Sequence, residues 1–371
     1  MGSESVKPFP IFNSRALSDG NTYNLSDPAE RVKYFHAKLG TKVGEVKDYL
    51  DRNTFVGFLL AKKVAGKGTF AKIFEEIVGS ERVAHISVGD VVRKVHGEVE
   101  GAEGKKDLLD YLKGNYRGFS PVEEVFEDFV NYSQDKLIPT ELILALVKRE
   151  VERVGRRGLF IDGLPRSLDQ ISYSLYFRDL INFRDDPDFF VLFYTPESVI
   201  DARLKSRLIC PICQTSKSYN LNPSKFVRYE KDAGGEGESG CDGKFYLVCD
   251  NSSCSGFGNQ RLVRKKGDDL GIEAVRERVD LEQKLIDMAR SLSGVPLVYL
   301  RNSIPVSKAS ENVEDYEITP EFSYELNESG EVKVIEKPWV VKDDAGVDSY
   351  SLLPATTALA VFDQIHGLLV G

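Results

Sequence analysis

Residues 54–60 run Thr-Phe-Val-Gly-Phe-Leu-Leu without a charge, and lysines follow at positions 62 and 63. An unbroken apolar run of this length suits a strand buried on both faces of a parallel sheet. From Lys67 the period changes: Phe70, Ile73, Phe74 and Ile77 recur at helical spacing. The same change repeats along the chain. Residues 82–93 read as a short strand and a helix start, 158–162 and 189–194 as buried strands, and 295–300 as a fifth strand. Helices are expected over 29–39 and 43–50, near 106–113, over 121–132 and 139–154, and from about 167. Others are expected from 196 as far as Arg207, over 271–292 and over 354–369. Period-two alternation over 314–342, around Asn327-Glu328-Ser329-Gly330, predicts a β-hairpin.

No internal repeat is present, and strands alternating with helices predict an α/β fold. Its form is a three-layer parallel sheet of about five strands flanked by helices, with ligands beyond the C-terminal strand ends. The expected organisation is a helical extension over 1–53, core over 54–87, an insertion over 88–140 and core again over 141–207. A cysteine-bearing insertion over 208–265, core over 266–309, a hairpin insertion over 310–350 and a closing core helix over 351–371 complete it.

With 371 residues, 42% hydrophobic and 29% charged, the chain can bury a full core. A net charge of −9 argues against a nucleic-acid surface, which needs a basic excess. No apolar run reaches membrane-spanning length, and Met1-Gly-Ser-Glu-Ser lacks a signal-sequence pattern, so no membrane partner and a cytoplasmic location are expected. All five cysteines fall between Cys210 and Cys254. An odd, clustered set points to metal ligation in a reducing compartment more than to a disulfide framework.

The strand–loop–helix around Gly66-Lys67-Gly68-Thr69 has the makings of a phosphate cradle. Backbone N–H groups and the helix N-terminus face the anion, the lysine reaches the outer phosphates, and the threonine hydroxyl can ligate magnesium. The alternative is an ordinary strand-to-helix turn. Asp162, ending an apolar strand, is placed to hold Mg2+ directly or through water, or else to cap a turn. Cys210-x-x-Cys213 and Cys249-x-x-x-x-Cys254 supply four thiolates, suited to a closed tetrahedral Zn2+ site, or stay reduced and free. Cys241 is a rival ligand.

Four ordered stretches resemble the adenylate kinases, within the nucleoside monophosphate kinase family. Val64-Ala-Gly-Lys-Gly-Thr69 is similar to the end of the family's GxPGxGKGT loop, and His85-Ile-Ser-Val-Gly-Asp-Val-Val-Arg93 to HISTGDLLR. Asp162-Gly-Leu-Pro-Arg-Ser-Leu-Asp-Gln170 resembles DGFPRTxxQ, and residues 203–213 resemble the RLxxRRICPxC entry to a zinc-type long lid. The resemblance covers about residues 54–300. It implies reversible phosphoryl transfer from MgATP to AMP giving two ADP, by a monomer with small-molecule partners ATP, AMP and ADP.

By residue matching, the resemblance implies that Ala65, Gly66, Lys67, Gly68 and Thr69 hold the donor phosphates. Arg203 would stack on the donor adenine and Arg207 would contact phosphates. The acceptor would be held by Ser87, Val88, Arg93, Lys136, Leu137, Ile138, Gly163 and Arg166, with Gln170 reading the adenine edge. Arg264, Arg276 and Arg278 resemble the family's R-x-D-D…R-x-R run and would serve the acceptor site. Lys67, Asp162, Arg207, Arg264 and Arg278 are the catalytic candidates, and structural Zn2+ and Mg2+ with ATP the implied metals. The resemblance also implies a shielding lid over 208–265 and an acceptor-binding insertion near 88–140.

Departures are clear. Ala61 and Val64 replace two loop glycines, Lys62-Lys63 replaces the small-residue-and-proline pair, and Val88 replaces a threonine. A positive φ at Val64 would strain the loop, because β-branched residues resist it. These changes leave open a catalytically weak nucleotide-binding regulatory module, a kinase with a different acceptor, or a zinc-ribbon interaction protein on a kinase core.

Overall fold

A computed structural model of the chain describes residues 8–131, 138–167, 170–171, 177–178, 181–183, 185–230 and 245–371. Two helices, α1 (Pro28–Leu39) and α2 (Lys42–Leu50), precede the first strand β1 (Val56–Leu60). Asp27 caps α1 by accepting from the N–H groups of Ala29 and Glu30, with Pro28 in the first turn. The next elements are α3 (Lys67–Val78), β2 (Val83–Ser87) and α4 (Val88–Glu98). Then come α5 (Ala102–Asn115), α6 (Val122–Val130), α7 (Thr140–Val154), β3 (Gly158–Asp162) and β4 (Asp188–Tyr194).

Helix α8 (Glu197–Lys205) leads to β5 (Arg207–Ile209), β6 (Ser216–Ser218), β7 (Phe226–Tyr229), β8 (Phe245–Val248) and β9 (Val263–Arg264). A 3-10 segment (Asp268–Val275) precedes α9 (Arg276–Ser291) and β10 (Leu297–Arg301). The chain closes with β11 (Ser303–Pro305), α10 (Val306–Asn312), β12 (Pro320–Leu326), β13 (Val332–Pro338), β14 (Val340–Lys342), β15 (Asp348–Ser351) and α11 (Pro354–Leu369).

Five strands form one parallel sheet in the order β10-β4-β1-β3-β2, with Leu59 opposite Asp162 and Asp162 opposite Ser87. Alternate residues of β1 feed two cores. Val56, Phe58 and Leu60 face a layer that includes α4, α7 and Ala289 of α9, while Leu59 faces α1, α2, α3 and α11. Each large side chain so buried contributes about 1.5–3 kcal/mol. Gly57 has no room for a side chain, since a Cβ there would lie 3.0 Å from the rings of both Phe160 and Phe189. This is a three-layer α/β arrangement, a five-stranded parallel sheet flanked by helices and consistent with a P-loop nucleotide kinase fold, with smaller sheets added.

Two elements differ from the periodicity. The helix after Pro196 stops at Lys205, because Ser206 takes φ −93°, ψ 0° and Arg207 then pairs in the β5–β6 ladder. The apolar pattern from 271 begins as a 3-10 segment broken at Gly271 (φ 58°), and the α-helix starts only at Arg276. The β12–β13 hairpin is present, with Leu326 opposite Val332.

The hairpin lies against the β5–β9 region. Phe322 N–H donates to Asn220 O (2.8 Å), Tyr324 OH donates to Tyr219 O (2.6 Å), and Tyr324 packs in the cluster of Cys210, Cys249 and Cys254. The N-terminal segment meets the start of the same insertion through Glu317, whose side chain is fully buried. Its carboxylate accepts from Tyr34 OH (2.5 Å), Ser14 Oγ (2.6 Å) and Glu314 N–H (2.7 Å), and lies 3.6 Å from Lys38 Nζ.

Candidate active site

The C-terminal ends of β1, β3 and β2 put three sequence segments on one edge. Gly66 takes φ 102° and opens α3, so the first amides of the helix are left without intrahelical acceptors. Lys67 Nζ folds back to Ala61 O (3.0 Å) and lies 3.7 Å from Asp162 Oδ1 at the end of β3. Those amides, that ammonium and that carboxylate are the groups a magnesium-bound polyphosphate needs. Thr69 is exposed at the same helix start. His85 lies beneath the loop, its Cε1 3.8 Å from where a Cβ on Gly68 would stand.

Arg93 and Arg166 meet over α4. A Cβ on Gly89 would lie 3.5 Å from Arg93 Nη1 and 3.6 Å from Arg166 Nη2. Gly163 (φ +86°) lies beside Arg166, which donates from Nε to Gly163 O (2.9 Å). Desolvation in the cleft, then Arg278, pull Arg166 below its ordinary value; Asp162 opposes this and Arg93 adds to it. Ser87 caps α4 through Asp90 N–H (3.4 Å), and Val88 is buried in the core. Ile138 is half-buried; Lys136 and Leu137 lie outside the described residues. Gln170 is buried with both amide atoms engaged: its Oε1 accepts from Arg166 N–H and its Nε2 donates to Thr140 Oγ1, each at 2.7 Å.

Three of the remaining arginines stand opposite carboxylates. Arg207 makes a bidentate pair with Asp268 (2.6 and 2.7 Å), Arg276 holds Glu197 (2.6 Å) and Glu273 (2.7 Å), and Arg278 holds Glu282 (2.9 Å). Arg264 sits in β9 opposite Leu208. Arg203 donates to Val64 O (3.3 Å) and is pushed down to about 10 by burial.

Sequence reasoning missed the part played by Lys62, Lys63, Glu197 and Glu282. Buried Lys62 pairs with Glu197 (3.1 Å), and Lys63 N–H donates to Glu282 (2.5 Å). The Lys63 ammonium pairs with no carboxylate among the described residues; desolvation, then Arg278, Arg207 and Lys265, hold its pKa down. The signal was the lysine pair itself, read only as a departure from the loop pattern. Val64 does take φ 65°.

Away from this edge, Cys210, Cys213, Cys249 and Cys254 converge, their sulfurs all within 4.8 Å of one another. Cys210 and Cys254 are 3.9 Å apart and Cys213 and Cys249 3.7 Å, far beyond a disulfide bond. Thiolates 2.3 Å from a tetrahedral zinc would be about 3.8 Å apart, so the donor set fits such an ion. The Thr215 hydroxyl lowers the pKa of Cys213, whereas burial raises that of Cys249. Cys241 lies outside the described residues.

Comparison with known proteins finds relatives among the adenylate kinases. An adenylate kinase of Thermotoga petrophila is 35% identical over 158 residues, 42% of this chain and 59% of that protein. The adenylate kinase of Mycoplasma capricolum is 27% identical over 228 residues, 61% of this chain and 82% of its own length. That of Clostridium novyi is 27% identical over 238 residues, 63% and 85% respectively. The chain is similar to adenylate kinases. It spans about three fifths of the length of its Thermotoga relatives. No model of a known protein family matches it.

Proposed function

We propose that the protein transfers a phosphoryl group reversibly between MgATP and AMP, giving two ADP. The observation that carries this reading is the placement of Lys67 within 3.7 Å of Asp162, beside a left-handed Gly66 that opens α3. A lysine, a helix N-terminus and a strand-end carboxylate gathered at one sheet edge suit a polyphosphate with its divalent ion.

The amides of Gly66, Lys67, Gly68 and Thr69 hold the donor phosphates, with Ala65 beside them. Arg203 flanks the donor base. Arg93 and Arg166 clamp the acceptor phosphate in a pocket formed by residues 88–140, Ser87, Val88, Ile138 and Gly163. Arg207 and Arg276 exchange their carboxylates for phosphates as residues 208–265 close over the site, and Arg264 and Arg278 join them, Arg278 through its Nη groups while Glu282 keeps its Nε. Asp162 and the Thr69 hydroxyl would hold Mg2+, which supplies charge neutralisation between the phosphates when bound. Little covalent help is needed, because positioning and fixed positive charge stabilise the transferring group. Removing one arginine that contacts it costs on the order of 3–5 kcal/mol of transition-state stabilisation.

The four cysteines would hold a structural Zn2+, which ties together a lid too small to fold alone. Gln170 already holds Arg166 N–H and Thr140, so the acceptor base is read by its second amide hydrogen and the second lone pair of its oxygen. A second reading, nucleotide binding with slow turnover, is favoured by the strained Val64 and by the carboxylates facing Arg207 and Arg276. Steady-state turnover with AMP, GMP, CMP and UMP in parallel separates these readings. ADP formation fastest with AMP supports the proposal; preference for another monophosphate overturns the acceptor, and nucleotide binding without turnover overturns the activity.

A further inference from the structure

Residues 62–65 form a turn closed by Ala65 N–H to Lys62 O (3.1 Å), with φ +65° at Val64. A turn with positive φ at its third residue suits proline at the second position and glycine at the third. This chain has Lys63 and Val64 there, so neither the stiffness of proline nor the freedom of glycine is available.

Other contacts take over both tasks. The third position is held by packing, since Val64 lies against Ile200, Leu204, Ile272 and Val279, and its carbonyl accepts from Arg203. The second position is held by α9. Lys63 keeps an N–H that proline would lack, and Glu282 Oε2 accepts it at 2.5 Å. The other oxygen of the same carboxylate accepts from Arg278 Nε at 2.9 Å. The Glu282 side chain is 14% exposed. One turn of helix separates Arg278 from Glu282, which presets their pairing.

We propose that Glu282 is a positioning residue that fixes the phosphate loop and Arg278 relative to each other, one through each carboxylate oxygen. The proposal rests on the reading of this loop as the ATP site. Lys63 N–H lies outside the four amides assigned to the donor phosphates, so Glu282 does not compete with them. Each arm is a hydrogen bond to an ionised group, strong enough for its loss to change a constant by about tenfold.

The two arms separate by substitution. Glu282→Ala removes both: the KM for ATP rises about tenfold, kcat falls about tenfold, and amide exchange over 61–69 speeds up in the nucleotide-free protein. Glu282→Gln keeps an acceptor for Lys63 N–H but no charge for Arg278, so KM and exchange stay near the wild type while kcat falls. Adding Lys63→Pro to Glu282→Ala supplies the missing stiffness, restoring KM and exchange but not kcat. Thermal melting of each variant accompanies the kinetics. A Glu282→Ala protein with lowered melting temperature but unchanged KM, kcat and exchange overturns the proposal, as does a double variant no better than the single one. If the wild type forms no ADP, the kinase reading fails, and the exchange measurements still decide whether Glu282 holds the loop.

Discussion

Val64 holds φ 65°, where its branched Cβ crowds the backbone, a position costing on the order of 1–3 kcal/mol. The side chain offsets part of this by packing between α8 and α9, which a glycine would not do. The same trade of backbone freedom for side-chain contact runs through Lys62 and Lys63, and no loop pattern based on glycines shows it. His96, on α4, gives the fold a pH signature. Its ring stacks on Phe129 (centroids 4.2 Å apart, 23° between planes), and burial alone lowers its pKa. The fold therefore favours neutral His96, while the unfolded chain takes up its proton near pH 6.5. Its share of stability is complete above that pH and lost as pH falls below it. Urea midpoints at pH 7.5 and 5.5 should fall further for the wild type than for His96→Gln; equal falls would contradict the assignment.

Among the elements, those with strong periods were legible. The run at 54–60 gave a buried strand because both faces of β1 are covered, and 354–369 gave α11 with matching bounds. The helix near 106–113 is longer, Ala102–Asn115, because its first turn is polar and carries no apolar signal. Arg207 was placed on the helix that begins at Pro196, but it pairs in the β5–β6 ladder instead, a contact that leaves no local pattern. At the site, Lys67, Asp162, Arg93 and Arg166 were readable as motif residues. Glu282 and Glu197 were not, because long-range partners leave no local pattern. The cysteine knuckles give an elemental test. Metal analysis is expected to find one zinc per chain, and chelation to lower the melting temperature with faster exchange at β5 and β8. A metal-free chain of unchanged stability would remove the zinc.

Taken as a whole, the molecule uses its two added segments on different parts of the core. The N-terminal extension packs across α3 and α11, while the β12–β13 hairpin lies on the cysteine-bearing sheets. Glu317 joins them, with Tyr34, Ser14 and Lys38 around one buried carboxylate. Glu317→Ala strands a buried Lys38 and should cost about 3–5 kcal/mol, read from denaturant unfolding. Adding Lys38→Met should recover much of that loss; no recovery would show that the two charges do not depend on each other.

The central claim is that a ring of fixed positive charge about the Gly66-Lys67 turn brings two mutually repelling nucleotides together. The most direct measurement is ADP formation from MgATP and AMP by the wild type and Lys67→Met, with melting temperature as a folding control. The wild type should turn over, and the folded variant should lose activity by about a hundredfold or more. A folded Lys67→Met protein that forms ADP at the wild-type rate would contradict the account.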